Sequence, residues 1–117
     1  CWGPLLMLGL GGVMVEAVRD AVLAPVPLDH EAARALIHRL RASAVFGPYR
    51  GMPPADTEAL ADLMLKLSQF AFDHADAVAE VDLNPVIVHA KGDGITVVDA
   101  LIVKRTVQRA ERRTAAE

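Results

Sequence analysis

The stretch EVDLNPVIVHAKGDGITVVDALIV, residues 80–103, decides how this chain is read. Two apolar runs flank a turn that carries Gly92 and Gly94, which is the pattern of a β-hairpin. Yet Glu80, Asp82, Asn84 and Asp99 stand where a plain hairpin would hold valine or threonine. A turn over Lys91–Gly94, or over its central Gly92 and Asp93, sets Asn84 opposite Leu101 and Asp99 opposite Val86. Strand alternation then collects Asp82, Asn84, Val86, Val97, Asp99 and Leu101 on one face. Val81, Leu83, Ile87, Val98 and Ile102 fall on the other, free to pack on helices. Asn84 and Asp99 become diagonal neighbours, with Cβ atoms within about 7–8 Å. One amide beside several carboxylates suits a hard cation such as magnesium, which keeps waters and phosphate oxygens as its other ligands. From spacing alone two readings stand, a magnesium-phosphate site and a solvated outer face whose acids serve solubility.

Working outward, Leu5–Leu10, the run VMVEAV (13–18) and AVLAPVP (21–27) read as short strands, with a turn at Arg19-Asp20. Asp29 is a good helix cap, and Ala33, Leu36, Ile37 and Leu40 follow at spacings of three and four, leaving Arg34, His38 and Arg41 to solvent. The glycines and prolines of FGPYRGMPP (46–54) predict a loop. Asp56 caps a second helix with a stripe of Leu60, Leu63, Met64, Leu67 and Phe70 or Ala71. TVQRAERRTAAE (106–117) has no apolar stripe and reads as a solvated or frayed tail. Strands, helix, loop, helix and hairpin in that order give an α+β fold, a mostly antiparallel sheet with helices packed on one face.

A chain of 117 residues holds one domain or part of one. A net charge of −3 and a 53% hydrophobic composition are those of an ordinary globular protein and exclude a nucleic-acid-binding one. The single cysteine, Cys1, excludes an internal disulfide framework, and a reducing, cytoplasmic setting is expected. LLMLGL (5–10) is broken by glycines and Glu16 before the ~20 residues that a membrane span needs. The start at Cys-Trp-Gly-Pro rather than Met reads as a piece of something longer. GLGG (9–12) lacks the spacing of a phosphate-binding loop and reads as a tight turn. His30 and His38 read as surface histidines, His74 as the end of its helix and His89 as a neighbour of the turn.

EVDLNPVIV (80–88), followed by the acid of VVDA (97–100), resembles the C-terminal end of ATP-grasp domains, above all those of NDP-forming acyl-CoA synthetases and the related succinyl-CoA synthetase β subunit. WGPLLMLGLGGVMVEAVRD (2–20), LAPVPLDHEAARALI (23–37), YRGMPPAD (49–56) and ALADLMLKLSQFAFDH (59–74) agree in order, so the resemblance runs to about Arg105. It implies that residues 1–105 are the C-terminal part of an ATP-grasp domain and 106–117 a tail. It implies Asn84 and Asp99 as magnesium ligands at an ATP/ADP site, with Arg50 also at the nucleotide. Asp82 stands near the position of a glutamate that meets a phosphorylated histidine, and Glu16 matches a position lining the cleft, although an exposed strand acid is its other reading. The implied enzyme is an ADP-forming acid-CoA ligase, with acyl-CoA, phosphate and ADP converted to acid, CoA and ATP. The rest of the ATP-grasp domain and a CoA-binding domain would come from the same chain or a partner subunit and would bind CoA and the acyl substrate, and this fragment alone would be inactive. The alternatives are a non-catalytic interaction module and the regulatory part of a fused acetyltransferase. Two departures stand out: Leu101 where the family usually has Arg or Lys, and Pro48 in PYRG where it tends to have glycine.

Overall fold

The computed structural model describes residues 3–9, 21–40, 46–47, 51 and 53–106. The expected strand around Glu16, the turn at Arg19-Asp20, Arg41, the loop segment with Pro48 and Arg50, and the tail from 107 onward lie outside the described residues. Within them the order is β1 (Leu5–Gly9), β2 (Ala21–Pro25), α1 (His30–Arg39), α2 (Thr57–Asp73), β3 (Val78–Leu83), β4 (Val86–Val88), β5 (Ile95–Val97) and β6 (Ala100–Lys104). The fold is α+β with antiparallel strands, as the sequence predicts, drawn as three two-stranded ladders: β1 with β2, β3 with β6, and β4 with β5.

Both helices begin where their caps dictate. The Asp29 carboxylate accepts from the Ala32 N–H at 2.7 Å, and the Asp56 carboxylate accepts from the Ala59 N–H at 3.1 Å, each satisfying a donor that the first helical turn leaves unpaired. Glu31 and Glu58 sit in the first turns, where the helix dipole favours an anion. The α1 stripe is as read, with Ala33, Leu36, Ile37 and Leu40 buried. In α2 the fully buried positions are Leu60, Ala61, Met64 and Ser68, while Leu63 and Leu67 are half-buried. Small side chains at Ala33 and Ala61 let the two helices approach, and Leu6 of β1 closes the same core. Across the helix pair, Glu58 takes Arg34 through two oxygens and His30 bonds Asp62 at 2.9 Å, exposed contacts worth at most about 1 kcal/mol each.

Ser68 is the buried polar residue that a hydrophobic stripe cannot foresee. Its hydroxyl accepts from the Leu28 N–H at 2.9 Å and donates to the Leu65 carbonyl at 3.1 Å, so the segment entering α1 is tied to the middle of α2. The β1–β2 ladder turns Leu6 inward and leaves Leu5, Met7 and Leu23 exposed on its outer face. No helix among the described residues is long and apolar enough to cross a membrane.

Ser68→Ala is expected to lower stability by about 1–3 kcal/mol in urea unfolding, because the Leu28 N–H stays buried without its acceptor.

Candidate functional site

The two ladders β3–β6 and β4–β5 are consecutive parts of one long hairpin, and its register differs from the sequence reading. Asp82 pairs with Leu101 and Leu83 with Ala100 in the first, and Val86 pairs with Val97 in the second. The pairing continues between them, with the Asn84 N–H donating to the Asp99 carbonyl at 3.1 Å and the Val98 N–H to the Pro85 carbonyl at 3.0 Å. Asn84 therefore lies directly opposite Asp99. Leu101, expected across from Asn84, faces Asp82, and Val86, expected across from Asp99, faces Val97. The shift is two residues, so parity is kept and Asn84 and Asp99 still share a side.

The cause is the turn. The Ala90 carbonyl accepts from the Asp93 N–H at 2.8 Å, which makes Lys91 and Gly92 the central residues. Gly92, at φ 92°, occupies the third position, where a type II turn needs positive φ, and Gly94 follows at φ 80°.

Side-chain alternation also slips at the bend. The expected core face, with Ile87, Val98 and Ile102, is about half exposed at those three residues, at 47%, 54% and 55%. Val86, Val88 and Ile95 pack against the helical core instead. Pro85 has no N–H to return to the ladder, so the pleat breaks between Leu83 and Val86 and the two halves of the hairpin present opposite parities. The half near the turn docks on α2, while β6 is exposed along its whole length.

Asn84, Asp99 and Asp82 are all exposed. One Asp99 carboxylate oxygen accepts from the Ala100 N–H at 2.8 Å, which fixes the carboxylate beside the bend. Asn84 and Asp99 thus meet through their backbones at the bend, and an amide and a carboxylate are the hard oxygen donors that magnesium takes beside water and phosphate. Among the described residues no group of three or more His, Cys, Asp or Glu side chains is placed to hold a metal. Glu16 and Arg50 lie outside the described residues.

Sequence reasoning used Asp56 only as a helix cap. The structure gives it a second duty: its other oxygen accepts from the N–H groups of Gly92 at 3.1 Å and Gly94 at 2.9 Å. Backbone bonds reinforce the contact, from the Asp56 N–H to the His89 carbonyl and from the Lys91 N–H to the Pro54 carbonyl, both at 2.8 Å. Asp56 as a residue is 9% exposed. The Ala59 N–H, then that of Gly94, hold its carboxyl below the ordinary 3.8; burial opposes this, and Gly92 and Lys91 add to it. The two glycines after a lysine were the available signal, since their positive φ lets the N–H groups of Gly92 and Gly94 converge on one acceptor.

A family model described as an ATP-grasp domain matches residues 1–103. The subunit beta of acetate–CoA ligase [ADP-forming] II of Pyrococcus furiosus is 41% identical over 102 residues, covering 87% of this chain and 43% of that protein. Acetate–CoA ligase [ADP-forming] I of Archaeoglobus fulgidus is 38% identical over 91 residues, 78% of this chain and 13% of its own length. Among solved structures, acetyl-coenzyme A synthetase 1 of Ca. Korarchaeum cryptofilum, in complex with coenzyme A and Mg-AMPPCP, superposes with a TM-score of 0.81 at 40% identity, covering 89% of this chain and 47% of that one. The chain thus spans less than half the length of these proteins.

A depressed carboxyl pKa in the folded state means that the stabilisation is complete above the unfolded value and is lost as pH falls through the folded one. Stability in urea is therefore expected to fall as pH drops below about 3.8, with a smaller fall over the same range in Asp56→Asn, which has no carboxyl to protonate.

Proposed function

This chain belongs to the ATP-grasp domain family, and from that premise we propose that it is part of an ADP-forming acid-CoA ligase, supplying the magnesium-phosphate end of the nucleotide site. The observation that carries the reading is the direct apposition of Asn84 and Asp99 at the bend of the hairpin, supported by the relatives' named activities and by the Mg-AMPPCP held by the Korarchaeum enzyme.

Asn84 and Asp99 would hold a magnesium ion, which, when bound, neutralises charge on the nucleotide phosphates. The backbone bond from the Asn84 N–H to the Asp99 carbonyl holds the two residues together at the bend, and one Asp99 carboxylate oxygen is bonded to the Ala100 N–H. Asp82, two residues before Asn84, would meet the imidazole of a histidine delivered from elsewhere, accept a hydrogen bond from its distal nitrogen and hold the tautomer that takes the phosphoryl group. Leu101 offers Asp82 no cation across the ladder, so the charge that balances this carboxylate would come from the visiting segment.

Residues 1–105 are read as the C-terminal part of the domain. The rest of the ATP-grasp domain and a CoA-binding domain, in the same chain or a partner subunit, would complete the active site. The exposed Val98, Leu101, Ile102 and Val103 support such a covering partner, because a two-stranded ribbon is marginal in water alone.

In the full-length protein, assayed with acyl-CoA, phosphate, ADP and magnesium, Asp99→Ala is expected to lower the rate on the order of 10²-fold or more. Asp82→Asn should lower it without moving the magnesium concentration for half-maximal rate. Full turnover by Asp99→Ala would make the hairpin a scaffold and its acids surface.

A further inference from the structure

We propose that Asp56 is a positioning residue that selects the hairpin register, and so decides whether Asn84 faces Asp99 or Leu101. The sequence permits two turns, one centred on Gly92 and Asp93 and one centred on Lys91 and Gly92, and only the second is present. They differ by a slip of two residues between the strands. Such a slip keeps every side chain on its own face, so burial of Val86, Val88 and Ile95 does little to choose between them. Another contact has to choose.

The first strand is fixed by backbone alone. The His89 carbonyl, Ala90 and the Lys91 N–H are held by Asp56, Ala55 and Pro54, and none of these bonds reaches the second strand. At the turn, the second strand is tied to the same anchor through the Asp56 carboxylate, which accepts from Gly94 and, within the turn, from Gly92. At its far end Arg105 bonds the carbonyls of Ala75 and Ala77, but that end is exposed, and an irregularity between Val78 and Glu80 already absorbs a change of register there. His89 also bonds Thr96 across the strands at 2.6 Å, but that contact is exposed, and in the slipped pairing the two residues would stand directly opposite and could keep it. The buried carboxylate is thus the tie that sees the register. Charge-assisted bonds to two N–H groups in a nearly buried setting favour the observed pairing strongly over one that moves Gly94 away from its acceptor.

The consequence for catalysis rests on the magnesium reading above; the register itself does not. In the slipped pairing Leu101 would stand across from Asn84 and Val86 across from Asp99, separating the two oxygen donors to a diagonal. Asp56 touches no reacting atom and acts only through the hairpin.

Two variants separate the cap of α2 from the hairpin tie. Asp56→Asn and Asp56→Ser keep a side-chain acceptor for the Ala59 N–H, since both residues are good caps, but neither presents a carboxylate to the glycines. Register is read in the full-length protein by oxidative cross-linking, in a Cys1→Ser background. The pair Asp82→Cys with Leu101→Cys lies opposed in the observed register. Asp82→Cys with Val103→Cys lies opposed only in the slipped one, and as a diagonal it is too far apart to bridge. With Asp56 intact, only the 82–101 pair should close. With Asn or Ser at 56, the rate of the 82–103 cross-link relative to 82–101 should rise at least about tenfold, the effect of losing one bond to a charged acceptor. An unchanged ratio in a folded variant overturns the inference, as does failure of both cap-preserving variants to fold, which would make Asp56 a requirement for folding. In the chain without engineered cysteine pairs, the same variants should raise the magnesium concentration for half-maximal rate. A switched cross-link with unchanged magnesium dependence would uphold the role of Asp56 and remove the metal site from the bend.

Discussion

One carboxylate, that of Asp56, joins the two chemical halves of the described fold. One of its oxygens meets the N–H of Ala59 at the start of α2, and the other meets Gly92 and Gly94 in the hairpin turn. A helix start and a tight turn both expose N–H groups that water cannot reach once they are packed together. An ionised carboxylate has enough acceptor capacity for both, which is why an acid at this position can be nearly buried on backbone N–H groups. Everything that follows along the hairpin is placed relative to that point.

From the turn the hairpin runs along α2, with Val86, Val88 and Ile95 against the core, and then breaks at Asn84 and Pro85. The break changes which parity faces the protein. Beyond it, β3 and β6 carry Asp82, Leu101 and the exposed apolar residues Ile102 and Val103 away from the helices. The bend is therefore where backbone irregularity, solvent access and oxygen donors coincide. A regular strand would have continued the pleat and put valine-like packing where Asn84 and Asp99 stand.

Much of this was legible in the residues. Asp29 and Asp56 announced the helix starts, the three-and-four spacing of α1 located its buried face, and the parity of the hairpin already put Asn84 and Asp99 on one side. What the residues did not reveal has specific causes. The register was off by two because two turns satisfy the same glycines, and the contact that chooses between them comes from a residue 36 and 38 positions away. The core face of the hairpin was misassigned because period-two reasoning was carried through Pro85, where the strands stay paired but the side-chain alternation slips. Ser68 was invisible because its partner, the Leu28 N–H, lies 40 residues away. Local chemistry was readable, and long-range satisfaction of backbone groups was not.

The measurement that bears most directly on the proposed site uses manganese in place of magnesium on the full-length protein with bound ADP, read by paramagnetic broadening of backbone amide resonances. A cation at the bend should broaden the amides of Asn84, Asp99 and Ala100 first, and leave those around Asp62 and Asp73 on α2 sharp. Broadening centred on any other group, with Asn84 and Asp99 unaffected, would contradict a metal-phosphate role for the hairpin.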